Sequence, residues 1–368
     1  MRTRTLWVQA LLFGVGCSYY DSALLEPQPV VDAAAVDAVG TDAEGDASGC
    51  AHAMPPPKPS VVDAGGDQDL VLVLDWLTMS DRELGYDLDK TCTCQGEGDS
   101  CQEPAWADAD HCDGADGRDN AVGALLQGGA SMMPGFGEDL WNANLKAGMW
   151  GVLLRVRGYN GQPDDDRVEL SWYMPDAFDA GAGDAGATGA TPKWDGTDTW
   201  PIQSHTVEEN DVGRPVWRDA IAYVSGGVLV GQLPRGEMQA SGSLRLVIRD
   251  AFVTGRLEQV EGVWRMRDGI VAGVWVLEDL FQRVANLKVQ GSPLCKDALG
   301  YDVLKKAICR YADMYRSRGT PSSLCDALSL AVVFTAIEGR LGPIVEVATE
   351  GYTCSPDMDP ANDSCDLP

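Results

Sequence analysis

Histidine is almost missing from this chain, with three among 368 residues. That scarcity thins the supply of general bases, and the sequence holds no G-x-S-x-G, no H-E-x-x-H, no Walker loop and no G-x-G-x-x-G after a strand. His52 falls in low-complexity sequence and His111 in an acidic loop. His205 stands beside Ser204, but neighbours on an extended chain point to opposite faces and cannot form a dyad. Positive charge is scarce too. Against 56 acidic side chains there are 28 basic ones, a net charge of −28, and such a field repels nucleic-acid phosphates and anionic headgroups. Nucleic acid is excluded as a partner. Long apolar runs are also lacking: none approaches the roughly 20 residues that cross a bilayer, and the richest, residues 328–337, reads as a buried helix. Any membrane attachment is therefore through lipid.

What is present begins with the leader, residues 1–17, MRTRTLWVQALLFGVGC. Arg2 and Arg4 precede a short apolar run and small residues, the pattern of an export signal. Ending in Cys17, it resembles a bacterial lipoprotein signal, with Gly14 where Leu is usual; an ordinary secretory signal cleaved nearby is the alternative. The resemblance implies a removed signal peptide over residues 1–16 and an acyl chain on Cys17. It further implies anchoring to a lipid bilayer in the bacterial cell envelope, at the outer membrane or cell surface. From residue 18 to 69 ten carboxylates face the single Lys58, and a Pro55-Pro56-Pro57-Lys58-Pro59 run lies near the end. Such sequence buries too little apolar area to offset its ordering entropy, so residues 17–69 read as a disordered acidic tether. Residues 176–191 have the same flavour and read as a surface insertion.

Eleven cysteines suit an oxidising compartment. With Cys17 lipidated ten remain, an even number able to pair completely. Cys92, Cys94, Cys101 and Cys112 admit a zinc cage, but their spacing lacks the paired C-x₂-C knuckles of zinc ribbons, so these four and Cys295, Cys309, Cys325, Cys354 and Cys365 are read as disulfide cysteines. The pairing is not deducible from sequence.

Alternation marks strands. Val168, Leu170 and Trp172 share one face against Arg167, Glu169 and Ser171, and residues 152–157 alternate likewise, with a turn-rich GYNGQPDDD between the two segments. Further strands are expected at 70–77, 221–233, 244–249, 252–257 and 263–274, the last split by a type I′ turn at Asp268-Gly269. After residue 276 the period becomes helical: Leu277, Leu280, Phe281, Val284 and Leu287, then Val303, Leu304, Ala307 and Ile308. Thr320-Pro321 and Gly339 read as the start and stop of a third helix. The expected fold is α+β, with a β-rich antiparallel sandwich-like or curled core over residues 70–276 and a disulfide-stapled helical region over 277–368.

The densest chemistry lies in Asp108, Asp110, Asp113, Asp116, Asp119 and Asn120. Carboxylates at two- and three-residue intervals, with glycines between, can turn many oxygens toward one hard cation. Asp87 and Asp89 join them if Cys92 or Cys94 is bridged to Cys112. The stretch resembles the Asp-rich calcium repeats of secreted proteins, which implies Ca²⁺ as ligand; it departs from them where Cys112 takes the place of the third Asp. Asp113 and Asp119 as turn or cap residues of an acidic loop is the alternative. Trp194, Trp200 and Trp217 in loop-like sequence are candidates for a sugar-stacking platform or for core. The leader, tether, C-T-C cluster and CDG-to-DN loop together resemble surface lipoproteins of the myxobacterial kind. The functional expectation is an exported, non-enzymatic module that binds a ligand or partner outside the cytoplasm; an exported hydrolase with a dispersed active site is the alternative.

Overall fold

The computed structural model describes residues 49–60, 65–79, 81–107, 112–129, 137–178, 190–241, 244–289, 292–316, 323–346 and 354–366. Cys17, Asp108 and Asp110 lie outside the described residues, as do the leader, most of the tether, Thr320 and Pro321.

In chain order the elements are β1 (Gln68–Thr78), α1 (Ala121–Gly129), α2 (Glu138–Lys146), β2 (Leu153–Tyr159), β3 (Asp165–Tyr173), β4 (Thr199–Gln203), β5 (Val207–Glu208), β6 (Asp211–Pro215) and β7 (Trp217–Ser225). They continue with β8 (Val228–Ser241), β9 (Leu244–Val260), β10 (Val263–Val276), α3 (Leu277–Val284), β11 (Lys288–Val289), β12 (Ser292–Pro293), α4 (Tyr301–Arg310), β13 (Ala327–Glu338) and β14 (Arg340–Val345). The β-rich antiparallel core is present and curls until it closes. Its strands run β1-β13-β10-β9-β8-β7-β3-β2 and return to β1 as a barrel.

An eight-stranded barrel has an interior about wide enough for side chains to fill. Here Leu72, Leu74, Leu154, Val156, Leu170, Trp172, Leu330, Val332 and Phe334 belong to one buried cluster. The β2–β3 hairpin pairs Leu154 with Trp172 and Val156 with Leu170, as the alternation requires. A second cluster, Val73, Leu153, Tyr173, Trp200 and Ile202, is built from the alternate residues of β1, β2 and β3 together with the parallel β4–β14 ribbon.

Five local expectations are corrected. Residues 328–337 are strand, not helix: β13 sits between β1 and β10. Leu328, Leu330, Val332, Phe334 and Ala336 join the main core, while Ala331 packs with Tyr86 and Ala272 in another cluster. A strand covered on both faces loses its alternation and reads as a continuous apolar run. Gly339 does not stop a helix. It donates its N–H to the Val71 carbonyl, and a Cβ there would come within 2.6 Å of Val73. Asp268-Gly269 is not the hairpin turn; it is a bulge inside β10, with the register shifting between Met266 and Gly269 against β13. The turn from β9 to β10 is Glu261-Gly262, both at positive φ (53° and 82°). Likewise Gly226-Gly227 divides the expected 221–233 strand into β7 and β8, and 244–257 is one strand, β9.

All ten cysteines from Cys50 onward pair, as Cys50–Cys92, Cys94–Cys112, Cys101–Cys325, Cys295–Cys354 and Cys309–Cys365. The first three bridges share out the four cysteines that admitted a zinc cage. The last two fasten the C-terminal helical region, where Lys305 on α4 donates to Asp363 at 2.8 Å and Tyr301 does the same. Residues 49–60, assigned to the tether, are docked on the body. Besides the Cys50 bridge, Ala53 exchanges backbone hydrogen bonds with Asp116 and Asp87, and the Tyr223 hydroxyl donates to the Pro56 carbonyl at 2.6 Å.

Candidate metal centre

The Cys94–Cys112 bridge unites the two acidic segments. One oxygen from each of Asp87, Asp89 and Asp119 lies within 4.8 Å of the others. Asp87 is held by backbone N–H groups of Lys90 (2.6 Å) and Thr91 (3.2 Å) on Oδ1, and its Oδ2 meets His52 Nδ1 at 2.5 Å. Gly117, at φ +70°, lets the loop pass this close: a Cβ there would lie 2.8 Å from Cys92 Sγ and 3.1 Å from Asp87 Oδ2. Asp89 Oδ1 accepts from Thr91 N at 2.8 Å. Asp119 is buried and accepts the Leu88 N–H on Oδ2 at 2.6 Å.

Two further carboxyls extend the group. Asp113 accepts the Thr93 N–H at 2.6 Å. Asp313, which the sequence did not single out, is brought in by β13: Ser329, fully buried, donates both its backbone N–H (2.8 Å) and its hydroxyl to it. Asp113 and Asp313 border a small cleft of about 20 Å³ with Arg82, Arg118 and Tyr311, room for about one water.

Crowding these acids in a poorly hydrated place favours their neutral forms. Burial, with Asp87 adding to it, pushes Asp89 up to about 6. Burial and the charges of Asp89 and Asp313 push Asp113 up to about 7. Burial also lifts Asp313 to about 7 against the Ser329 hydrogen bonds, and it holds Asp119 well above the usual carboxylate range, with Asp89, Asp313 and Asp113 adding to it.

Two of the expected ligands are placed elsewhere. Asp116 takes a left-handed conformation (φ 59°) and its side chain, 47% exposed, pairs with Arg118. Asn120 is buried and engaged on both ends. Its Oδ1 accepts the Gly123 N–H, capping α1, and the Ala331 N–H of β13, while Nδ2 donates to the Met79 and Asp81 carbonyls. It is a structural staple, with neither end directed to a cation. Trp200 and Trp217 are core residues, and Trp194 lies tilted against Trp200 with centroids 5.5 Å apart, so the three make no exposed platform. Ser204 donates to Glu346, and His205 Nε2 receives Arg245, so these neighbours do not meet.

Comparison of the chain with protein-family models, curated proteins and solved structures found no match.

Proposed function

We propose that the chain is an exported module, anchored in the bacterial cell envelope by an acyl chain on Cys17, that binds a ligand or partner outside the cytoplasm. In this reading a Ca²⁺ ion braces the acidic centre. The complete pairing of ten cysteines supports an oxidising compartment. Among the described residues no helix is long and apolar enough to cross a membrane.

The observation that carries the calcium part is the convergence of Asp87, Asp89 and Asp119, one oxygen of each lying within 4.8 Å of the others. Two oxygens bound to one Ca²⁺ ion at about 2.4 Å can stand no more than about 4.8 Å apart, a condition that these three meet. Backbone N–H groups orient the carboxylates, and Asp113 and Asp313 stand next to them with charge that a divalent ion would offset. When bound, the ion would join the 84–94 segment, which packs against β10 and β13, to the 113–119 loop. It would act as a brace that holds a surface in shape.

Calorimetric titration of the chelator-treated chain with Ca²⁺ tests the brace. Saturable binding is expected, with a stability gain of roughly 2.7 kcal/mol at a hundredfold excess over the dissociation constant. Asp119→Asn and Asp89→Asn should each abolish the heat, whereas Asp116→Ala should retain it. No saturable heat in the wild-type chain would remove calcium from the reading. For the anchor, Cys17→Ser should move the protein from the membrane fraction to the soluble one; unchanged fractionation overturns that part alone.

A further inference from the structure

The chain is strongly acidic, yet on one patch of the barrel wall arginines outnumber carboxylates. Glu237 on β8 has its side chain 5% exposed, and three arginines and a histidine converge on it. Arg235 is hydrogen-bonded to Oε1 through Nε (3.1 Å) and Nη2; Arg283 Nη2 lies 3.7 Å from the same oxygen. Arg245 Nη1 and His205 Nε2 each lie 3.9 Å from Oε2.

Strand register explains the grouping. β8 and β9 pair Arg235 with Arg249, Glu237 with Val247 and Gln239 with Arg245, which puts these residues on one face of the ribbon. The residues between them, Met238, Leu246 and Ile248, are in the core. The charged face is therefore the outer one. α3 contributes Arg283 and also Asp279, which takes Arg249 in a two-pronged ion pair at 2.7 and 2.9 Å. The one-turn 3-10 helix Ser204–Thr206 contributes His205.

Arg249 is thus matched by Asp279, but three guanidinium groups share Glu237. Each guanidinium carries five N–H donors, and a carboxylate offers about four lone-pair sites. Gln203 takes one more Arg245 hydrogen (3.3 Å) and His205 Nε2 another (3.3 Å). Asp176 is the next acid whose charge reaches Arg245. Burial, together with Arg245, Arg283 and Arg235, holds His205 below its ordinary value, which fits a neutral imidazole accepting from Arg245. The Arg245, Arg283, Arg235 and His205 side chains are 19%, 27%, 35% and 35% exposed, so solvent and solutes reach them.

We infer that Arg235, Arg245, Arg283 and His205, set around Glu237, form a binding site for an oxyanion: a phosphate, sulfate or carboxylate group on a ligand met outside the cytoplasm. The inference deepens the binding-module reading and rests on it only for naming what is bound. Planar guanidinium forks suit such groups, since they deliver paired N–H donors to two oxygens at once. Glu237 does two jobs here. It offsets part of the basic charge in the empty site, and it spaces the arginines so that their outer N–H groups face solvent. At physiological salt, charge is screened within about 8 Å, so an anionic group that reaches the patch feels the arginines more than the net charge of the chain.

The test is calorimetric titration of the full exported chain, at low ionic strength and in chelator, with inorganic phosphate, inorganic sulfate and acetate in separate arms. Saturable binding of at least one is expected, and the tightest arm assigns the group. Arg245→Gln and Arg283→Gln should each weaken it about tenfold or more, the usual loss of a charge-assisted hydrogen bond. Arg267→Gln, a control at an exposed arginine paired with Glu258, should change nothing. Glu237→Gln should bind more tightly than wild type, because it removes a competing carboxylate from the site. If that variant fails to fold, the two arginine variants decide the matter. Absence of saturable binding in all three arms overturns the inference, as does binding that both arginine variants leave unchanged. The calcium titration involves none of these residues, so either result stands without the other.

Discussion

The acidic centre makes the cation-free protein less stable as pH rises toward neutrality. In the folded chain Asp113 and Asp313 titrate near 7 and Asp89 near 6, while in the unfolded chain each falls near the ordinary aspartate value of about 3.9. A carboxyl whose folded value is raised keeps its proton in the native state after the unfolded state has lost it. Stability is then greatest below the unfolded value, declines through the interval, and levels off above the folded one. The slope is about 1.4 kcal/mol per pH unit for each extra proton held. Between about pH 5 and 6.5, Asp313 alone accounts for roughly 2 kcal/mol, a melting shift of about 3 °C in a chain of this size. Self-repulsion among the 56 acids adds a decline of its own, so the diagnostic quantity is a difference. Asp313→Asn cannot lose a proton, and its chelated slope should be flatter than wild type by about one proton. Saturating Ca²⁺ should flatten the wild-type slope as well, since deprotonation then creates ligands. Urea melts at four pH values, in chelator and in calcium, measure all of this. A wild-type stability that is level or rising from about pH 5 to 7 in chelator would falsify the account of these carboxyls, as would an Asp313→Asn slope equal to wild type.

Cys101–Cys325 spans 224 residues and joins the loop region to the start of β13; replacing both cysteines by Ala should lower stability by about 2–5 kcal/mol in urea melts, and a loss under about 1 kcal/mol would mean that the barrel contacts alone hold this junction. Asn120→Ala deletes four hydrogen bonds tying α1 to β13 and to the end of β1 and should cost about 2–4 kcal/mol. Asn120→Asp sets a buried carboxyl oxygen against the Met79 and Asp81 carbonyls and should cost at least as much; equal melting of Asn120→Ala and wild type would show that water replaces the staple at no cost.

How much of this was legible in sequence depended on whether a pattern is local. Residues 167–173 alternate because β3 has one face in the core and a more polar one outside, so their strand and its hairpin partner were readable from side chains two apart. β13 was not, because its second face is covered too, and an apolar run of that length is common to buried strands and buried helices. Asp268-Gly269 has the chemistry of a type I′ turn, but Asp-Gly also suits a bulge; the choice is made by Phe334 on β13, whose ring would lie 2.6 Å from any Cβ at Gly269. No window of neighbouring residues contains that fact.

The same distinction governs the sites. Asp87, Asp89, Asp113 and Asp119 were findable because they stand close to cysteines, and a bridge from Cys94 to Cys112 converts sequence proximity into spatial proximity. Asp313 has no such marker; it arrives through the bridge of Met314 to Ala327 and the side chain of Ser329. The arginine cluster is less visible still, since Arg235, Arg245, Arg283 and His205 come from two strands, a helix and a turn. In a chain with 56 acids, a carboxylate is uninformative until its burial is known. A buried glutamate ringed by arginines becomes conspicuous only when the barrel closes, because closure sets which face of β8 and β9 is the outer wall, and so places α3 and the Ser204–Thr206 turn against it.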